Sequence, residues 1–266
     1  KDPMKTTPQR IARPAALALA FTLIASGFSA SAAEIKVVTS GAFTAAFLEV
    51  GPAYEKETHN KVITEFGPSL GTTKNAIPVR MSRGENIDVV IMAVPGLEDL
   101  TKQGKIVKDS RVDLVESLIY LAVKAGAPKP DISTLDAFKK TLLNAKSIAF
   151  SDSASGVYLS NELFPKLGVW DQIKGKSKKI EADPVGGFVA KGEFEIGFQQ
   201  LSELRPVKGI DIVAPLPAGA QRVTRFAAAI PTTSKQPEAA KALIQWLASP
   251  ARYEAIKKTG LEPVKH

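Results

Sequence analysis

Four loops that combine Ser, Thr and Gly precede predicted helices, and they carry the binding chemistry of this chain. They are Ser40-Gly41, Gly71-Thr72-Thr73, Ser153 with Ser155-Gly156, and Gly186-Gly187. The first amides of a helix lack intrahelical acceptors and carry a partial positive charge, so converging helix starts bind anions. Glycine admits a ligand close to the backbone, and hydroxyls add neutral donors. Each loop alone is better explained by helix capping, but four together predict an anion-binding cleft.

Covalent catalysis has little support in the sequence. Ser155 lacks the flanking glycines of a nucleophile elbow, and a nucleophilic serine also needs a base. The histidines are His59, at the end of a predicted surface helix, and the terminal His266. The chain has no cysteine, which excludes disulfides and thiol chemistry. We therefore expect a binding protein without enzyme activity, metal or cofactor, and a hydrolase is the rival class.

The elements that must position these loops alternate along the chain. Short apolar runs predict strands and longer periodic segments predict helices. The predicted strands are Glu34–Thr39, Val62–Phe66, Ile87–Met92, Ser117–Lys124, Ser147–Phe150, Lys179–Ala182, Glu195–Gln199, Ile210–Ala214 and Arg225–Ile230. The predicted helices include Thr44–Thr58, Asn75–Ser82, Leu135–Leu143, Val157–Leu167 and Pro237–Ser249. This order predicts an α/β fold, in which ligands bind at the carboxyl ends of strands.

The first residues have the pattern of an export signal. Basic residues precede the apolar run Ala15–Ala25, which leads into Ala30-Ser31-Ala32. A basic flank, a short apolar stretch and small residues before the cleavage point are typical of a secretory signal peptide. We expect residues 1–32 to comprise a short vector remnant ahead of Met4 and this signal peptide. The predicted location of the mature chain is the periplasm.

The charge balance favours a small anionic ligand, although weakly. The chain has 35 Lys and Arg against 27 Asp and Glu, a net charge of +8, spread along its length. The one basic cluster, from Lys174 to Lys179, is best explained as a solvated loop. Binding to nucleic acid would require interleaved aromatic residues and a recognisable module, so it is not expected.

Five segments carry a resemblance to a known family. They are EIKVVTSGAFTAAF from Glu34, RGENIDVVIMA from Arg83, SASGVYL from Ser153, KLGVWDQI from Lys166 and KALIQWLASPARYEAIKKTGLEPV from Lys241. In these segments the chain resembles the periplasmic solute-binding proteins of ABC importers, in the group similar to molybdate- and tungstate-binding proteins. The resemblance implies a monomer that captures a small anionic solute and docks on a membrane permease.

The resemblance also implies a type II periplasmic fold with mixed, mostly parallel sheets flanked by helices. One lobe would contain residues 33–116 and 225–266, and the other residues 117–224. Two hinge strands near Ile119–Lys124 and Arg225–Ile230 would join the lobes, which close on the ligand.

The resemblance implies ligand contacts at all four loops. The family's first-loop serine falls at Ala42, and its late-strand tyrosine falls at Gln200, beside Gln199. The remaining implied positions are Ser40, Gly41, Gly71, Thr72, Thr73, Asn75, Ser155, Gly156, Val157, Val185 and Gly186. Because a hydroxyl is lost at Ala42 and the second loop is longer than in the family, the ligand can differ from molybdate.

Arg80 offers a more specific hypothesis about the ligand. It follows the second loop on a predicted helix, and a guanidinium can grip a carboxylate with two parallel hydrogen bonds. This favours a small organic polycarboxylate, with a molybdate-type oxyanion as the alternative. An exposed Arg80, or one paired with Glu85, explains the same sequence without a ligand. A protein that feeds a sensor instead of an importer would have the same cleft.

Overall fold

The computed structural model describes residues 32–266. Residues 1–31, which hold the predicted vector remnant and all but the last residue of the predicted signal peptide, lie outside this range. The strands are β1 (Glu34–Thr39), β2 (Lys61–Phe66), β3 (Val89–Ala93), β4 (Val112–Ser117), β5 (Ile119–Lys124), β6 (Ile148–Ser151), β7 (Ser177–Ile180), β8 (Ile196–Gln200), β9 (Ile210–Pro215), β10 (Thr224–Ala229) and β11 (Glu262–Pro263). The helices are α1 (Gly41–Thr58), α2 (Ile77–Ser82), α3 (Val94–Lys102), α4 (Leu135–Asn144), α5 (Ala154–Tyr158), α6 (Phe164–Lys166), α7 (Trp170–Ile173), α8 (Val185–Lys191), α9 (Leu201–Leu204), α10 (Pro237–Leu247) and α11 (Tyr253–Lys258). A π-helical turn over Leu159–Leu163 joins α5 to α6.

The strands form two mixed sheets, which confirms the predicted α/β class. The first sheet has the order β11-β4-β10-β3-β1-β2, and the second has the order β7-β6-β8-β5-β9. β1 is parallel to β2 and β3, and β6 is parallel to β7 and β8. Each antiparallel pair involves β4, β5 or β10, the strands that flank the passages between the sheets.

Both faces of each sheet are covered by apolar side chains. Along β1, Val37 packs in the cluster that contains Phe43 and Phe47 of α1, whereas Val38 packs on the opposite face with Leu97 of α3. This is the alternation of a strand buried on both sides. The second sheet is covered in the same way, with separate apolar clusters on its two faces.

The chain passes between the sheets at two places. The predicted strand Ser117–Lys124 contains all of β5 of the second sheet, but its first residue, Ser117, ends β4 of the first sheet, and the chain changes sheet at Leu118. The return passage lies between β9 and β10. The side chain of Gln221 in that passage accepts a hydrogen bond from the Ile119 amide at 3.0 Å and donates to the Ile119 carbonyl at 2.9 Å. The two passages are therefore linked by hydrogen bonds between Gln221 and Ile119.

Asp88 fixes the end of the chain to the first sheet. Its carboxylate is buried and accepts hydrogen bonds from the Lys36 amide at 2.9 Å and the Ser234 hydroxyl at 2.8 Å. It also accepts from the amides of Lys235 and Gln236, which immediately precede α10. One carboxylate thus joins β1 to the start of a helix that is distant in sequence.

We expect Asp88→Ala to lower the free energy of unfolding by about 3 kcal/mol, because several buried donors lose their acceptor. Urea unfolding followed by circular dichroism measures this change. Asp99→Ala, which removes an exposed carboxylate on α3, is the matched control and should change stability by less than about 0.5 kcal/mol. Equal losses in the two variants would contradict the role assigned to Asp88.

Candidate functional site

A cleft between the edges of the two sheets has a cavity volume of about 560 Å³. The first sheet contributes the start of α1 and the loop between β2 and α2. The second sheet contributes the loop after β6, the loop before α8 and the helix α9. Most of these segments follow the carboxyl end of a strand, where open α/β sheets bind ligands.

The cleft walls touch each other in this structure. The amide of Ser69 donates to the Ser153 hydroxyl at 3.1 Å, and the Ser202 hydroxyl donates to the Ala42 carbonyl at 2.7 Å. Gly71 has a φ of +97° and lies against Asp152. The structure therefore has the two walls in contact.

Glu203 lies at the floor of the cleft on α9. It is partly exposed, and its Oε1 accepts a hydrogen bond from Gln199 Nε2 at 2.9 Å. The amide of Val185 donates to Gln199 Oε1 at 2.9 Å, which orients the Gln199 amide so that its NH₂ group faces Glu203. Gly41 adjoins the same carboxyl so closely that a Cβ there would collide with Glu203 Oε1. The carboxyl thus lies against the first turn of α1.

The surroundings of Glu203 suit it to proton transfer. Burial raises the pKa of Glu203 to about 7, and the charge of Asp152 adds to this rise, although the hydrogen bond from Gln199 opposes it. A carboxyl whose pKa lies near neutral pH can both accept and return a proton. Burial also raises the pKa of Asp152, which lines the same cleft.

Among the predicted site residues, Gly41, Asn75 and Gln199 line the cleft. Ser40 is buried directly beside it, and its hydroxyl has no hydrogen-bond partner within residues 32–266. In the second loop, Gly71 contacts Asp152, Thr72 is exposed and Thr73 has a buried hydroxyl without a partner among the described residues. Of these positions, Gly41, Asn75 and Gln199 line the cleft, and Gly71 contacts its lining residue Asp152.

The remaining predicted loop residues are occupied by contacts within the protein. The Ser155 hydroxyl pairs with Ser151 at 3.0 Å, and the amides of Gly156 and Val157 bond to Ser151 and Ser153. Ala42, Val185 and Gly186 are buried behind the cleft wall. Gln200 donates instead to Thr224 of β10 at 3.1 Å. Alternation along β8 explains why Gln199 and Gln200 face different surroundings.

Arg80 does not line the cleft, so the structure corrects its predicted role as a ligand-binding residue. Its guanidinium donates to Glu85 at 2.7 Å and forms an ion pair with Glu65 of β2. The alternative explanation from the sequence, a pairing with Glu85, is the arrangement observed. The physical reason is that two acidic neighbours engage the side chain on the outer side of α2.

Glu203 and Asp152 were not among the predicted site residues. Asp152 follows a predicted strand and lies in the third loop, so a search for carboxylates as well as hydroxyls would have found it. Glu203 lies four positions after Gln199, beyond the end of the predicted strand. The helix α9 has only four residues, too few to show the periodicity that predicts a helix.

Comparison with known proteins identifies the family. A model described as "Bacterial extracellular solute-binding protein" matches residues 35–262. A molybdate-binding protein of Azotobacter vinelandii is 31% identical over 243 residues, which cover 87% of this chain and 91% of that protein. The solved periplasmic molybdate-binding protein from the same organism superposes with a TM-score of 0.67 at 22% identity, covering 85% and 98% of the two chains. The chain belongs to the bacterial extracellular solute-binding proteins.

This membership confirms the resemblance and the type II periplasmic fold. It implies capture of a small solute and docking on an importer's permease. No helix within residues 32–266 is long and apolar enough to cross a membrane. The described residues also contain no cluster of three or more His, Asp or Glu that could hold a metal ion.

A further relative corrects the prediction that the chain is not an enzyme. A Pseudomonas protein named aconitate isomerase is 50% identical over 230 residues, which cover 86% of this chain and 88% of that protein. An enzyme at this identity and coverage overturns the expectation of a binding protein alone. The prediction was wrong because it rested on the lack of a nucleophile with a base, which an enzyme that only transfers a proton does not need.

The raised pKa of Glu203 makes stability depend on pH. Glu203 binds its proton more tightly when folded, so its stabilising contribution is present below pH 4.5 and is lost as pH rises through about 7. We expect Glu203→Gln to avoid this loss. Its free energy of unfolding should exceed that of the parent by up to about 3 kcal/mol at pH 8, and by much less at pH 5.

Urea unfolding at the two pH values measures the difference. Glu254→Gln, in the exposed first turn of α11, is the matched control and should show no pH-dependent gain. A Glu203→Gln variant that gained nothing at pH 8 would contradict burial as the cause of the shift.

Proposed function

We propose that this protein is an aconitate isomerase built on the fold of a periplasmic solute-binding protein. The observation that carries the proposal is Glu203, a carboxyl with a pKa of about 7 at the floor of the cleft. The Pseudomonas relative that is 50% identical and named aconitate isomerase supports aconitate as the substrate. The predicted signal peptide and the family support a location in the periplasm, and the chain is proposed to act as a monomer.

The reaction requires only a proton transfer. Aconitate is a three-carbon chain that bears three carboxylates and one double bond, and its cis and trans isomers differ in the geometry of that bond. A base takes a proton from the methylene carbon, and the electron pair of the broken C–H bond forms a new double bond. The electrons of the old double bond then take the proton back at the far carbon. The product is again aconitate, now free to have either geometry, and no atoms are gained or lost.

Glu203 is the group we assign to this proton transfer. As a carboxylate it accepts the methylene proton, and as a carboxylic acid it returns that proton to the other carbon. Because the two carbons are the ends of one three-carbon unit, a single carboxyl on one face of the substrate can reach both. Gln199 holds the carboxyl in place through its 2.9 Å hydrogen bond. A pKa near the working pH keeps both protonation states accessible.

Neutral donors must hold the substrate carboxylates. The cleft-lining residues within 32–266 include no lysine or arginine. The first-turn amide of α1 at Gly41 lacks an intrahelical acceptor, and Asn75 adds a side-chain amide. Such donors can also stabilise the negative charge that develops as the methylene proton leaves. They therefore serve both binding and catalysis.

We expect the parent protein to interconvert cis- and trans-aconitate and Glu203→Gln to lower kcat at least about 100-fold, because the amide cannot accept a proton. Chromatographic separation of the two isomers measures the rate. Glu254→Gln should keep the parent's rate. A Glu203→Gln variant with the parent's kcat would exclude Glu203 as the base, and an inactive parent that still binds aconitate would restrict the protein to capture.

The pH profile gives a second test. The base must be ionised to accept the first proton, so we expect kcat at saturating substrate to rise with pH through about 7 and to fall about tenfold per unit below it. Initial rates in mixed buffers from pH 5 to pH 9 measure this profile. A profile that is flat between pH 5 and pH 8 is incompatible with Glu203 as the titrating group.

Solute capture for an importer is the second candidate function. It is favoured by the molybdate-binding relative and by the hydrogen bond between Ser69 and Ser153, which links the cleft walls as a closed binding protein requires. Thermal shifts with molybdate, tungstate and sulfate, measured beside those with aconitate, distinguish the two. Stabilisation by the metal oxyanions alone would support capture and exclude the isomerase.

A further inference from the structure

Asp152 is a second acidic group in the cleft, and the proton transfer described above does not use it. It lies between β6 and α5, lines the cavity and is only 6% exposed. Its Oδ2 accepts a hydrogen bond of 3.3 Å from the Ala182 amide. No lysine or arginine within residues 32–266 forms an ion pair with it. Asp152 is thus a buried carboxyl that lacks a cationic partner.

The groups around Asp152 are mainly acidic. Lys179 of β7 is the nearby cation, and it already pairs with Glu181 at 3.8 Å. Asp183 lies in the loop before α8, Glu203 lies on α9 and Glu49 lies on α1, and all three line the same cleft. From the loop between β2 and α2, the backbone of Gly71 approaches Asp152, since a Cβ there would lie 3.6 Å from Asp152 Oδ2.

An anion with several carboxylates therefore enters a cleft lined with carboxyls. Like charges held close together in a partly desolvated site cannot all remain ionised, so one group takes up a proton. Glu203 must be ionised at the start of the proposed reaction, which leaves Asp152 as the deepest remaining carboxyl. A neutral carboxylic acid can donate a short, strong hydrogen bond to a carboxylate.

We infer that Asp152 is a specificity-determining residue that binds one carboxylate of the substrate as a neutral acid, so that ligand capture takes up a proton. This inference rests on the proposed function, because it assumes a polycarboxylate ligand. Burial already raises the pKa of Asp152 in the free protein, which lowers the cost of protonating it. The close approach of Gly71 keeps this carboxyl covered when the walls are in contact.

The test uses tricarballylate, the saturated analogue of aconitate, which has no double bond to shift. Binding is measured by titration calorimetry between pH 7 and pH 9, where the ligand's own carboxyls are ionised. Glu203→Gln is the starting protein, because it removes the other titrating group, and it is compared with Glu203→Gln/Asp152→Asn. Asn keeps a donor at this position but cannot titrate. Glu203→Gln/Asp171→Asn, which changes an exposed aspartate, is the matched control.

We expect the Kd of Glu203→Gln for tricarballylate to increase with pH by up to about tenfold per unit, since one proton is taken up on binding. The Asp171 control should show the same slope. Glu203→Gln/Asp152→Asn should bind with a Kd that changes less than about twofold over the range. Calorimetry of Glu203→Gln in buffers of different ionisation enthalpy counts the protons directly, so the inference stays testable even if the double variant fails to fold.

The same pH dependence of Kd in Glu203→Gln and Glu203→Gln/Asp152→Asn, or no proton uptake by Glu203→Gln, would overturn the role of Asp152. Either result would leave the isomerase proposal intact. A parent protein that binds neither aconitate nor tricarballylate would overturn both proposals. An active parent with pH-independent binding of tricarballylate would overturn only the inference.

Discussion

The contact between the Glu203 carboxyl and the start of α1 is the constraint on which the site depends. Glu203 belongs to a helix that follows a strand of the second sheet, whereas α1 follows a strand of the first. The two can meet only if residue 41 has no side chain and if α9 is held against α1, as it is by Ser202. The site therefore exists only where the two sheets meet.

Much of the fold could be predicted from local pattern, whereas the centre of the site could not. The strands and long helices have clear periodicity, and the loops rich in Ser, Thr and Gly indicated the correct end of each sheet. The break at Leu118 is not marked by a glycine or proline, so the change of sheet could not be read from the sequence there. The partners of Arg80 could be proposed from Glu85 nearby, but Glu65 comes from another strand, and its position depends on tertiary packing.

The raised pKa of Glu203 illustrates why the sequence did not point to the proposed enzyme activity. Its raised pKa results from burial by α1 and from Asp152, which lies 51 positions earlier in the chain. Neither cause forms a local motif. A solute-binding scaffold and an isomerase can therefore share nearly all of their sequence pattern, because the chemistry depends on one side chain and its surroundings.

The paired hydrogen bonds of Gln221 have a mechanical consequence. Two independent passages between two bodies would allow both bending and twisting, since each strand could slide along the other. The Gln221 amide fixes one passage to the backbone of the other at Ile119. Separation of the cleft walls would therefore occur most easily as a rotation about the line through both passages. A rotation of that kind would bring Glu203 back beside α1 when the walls meet.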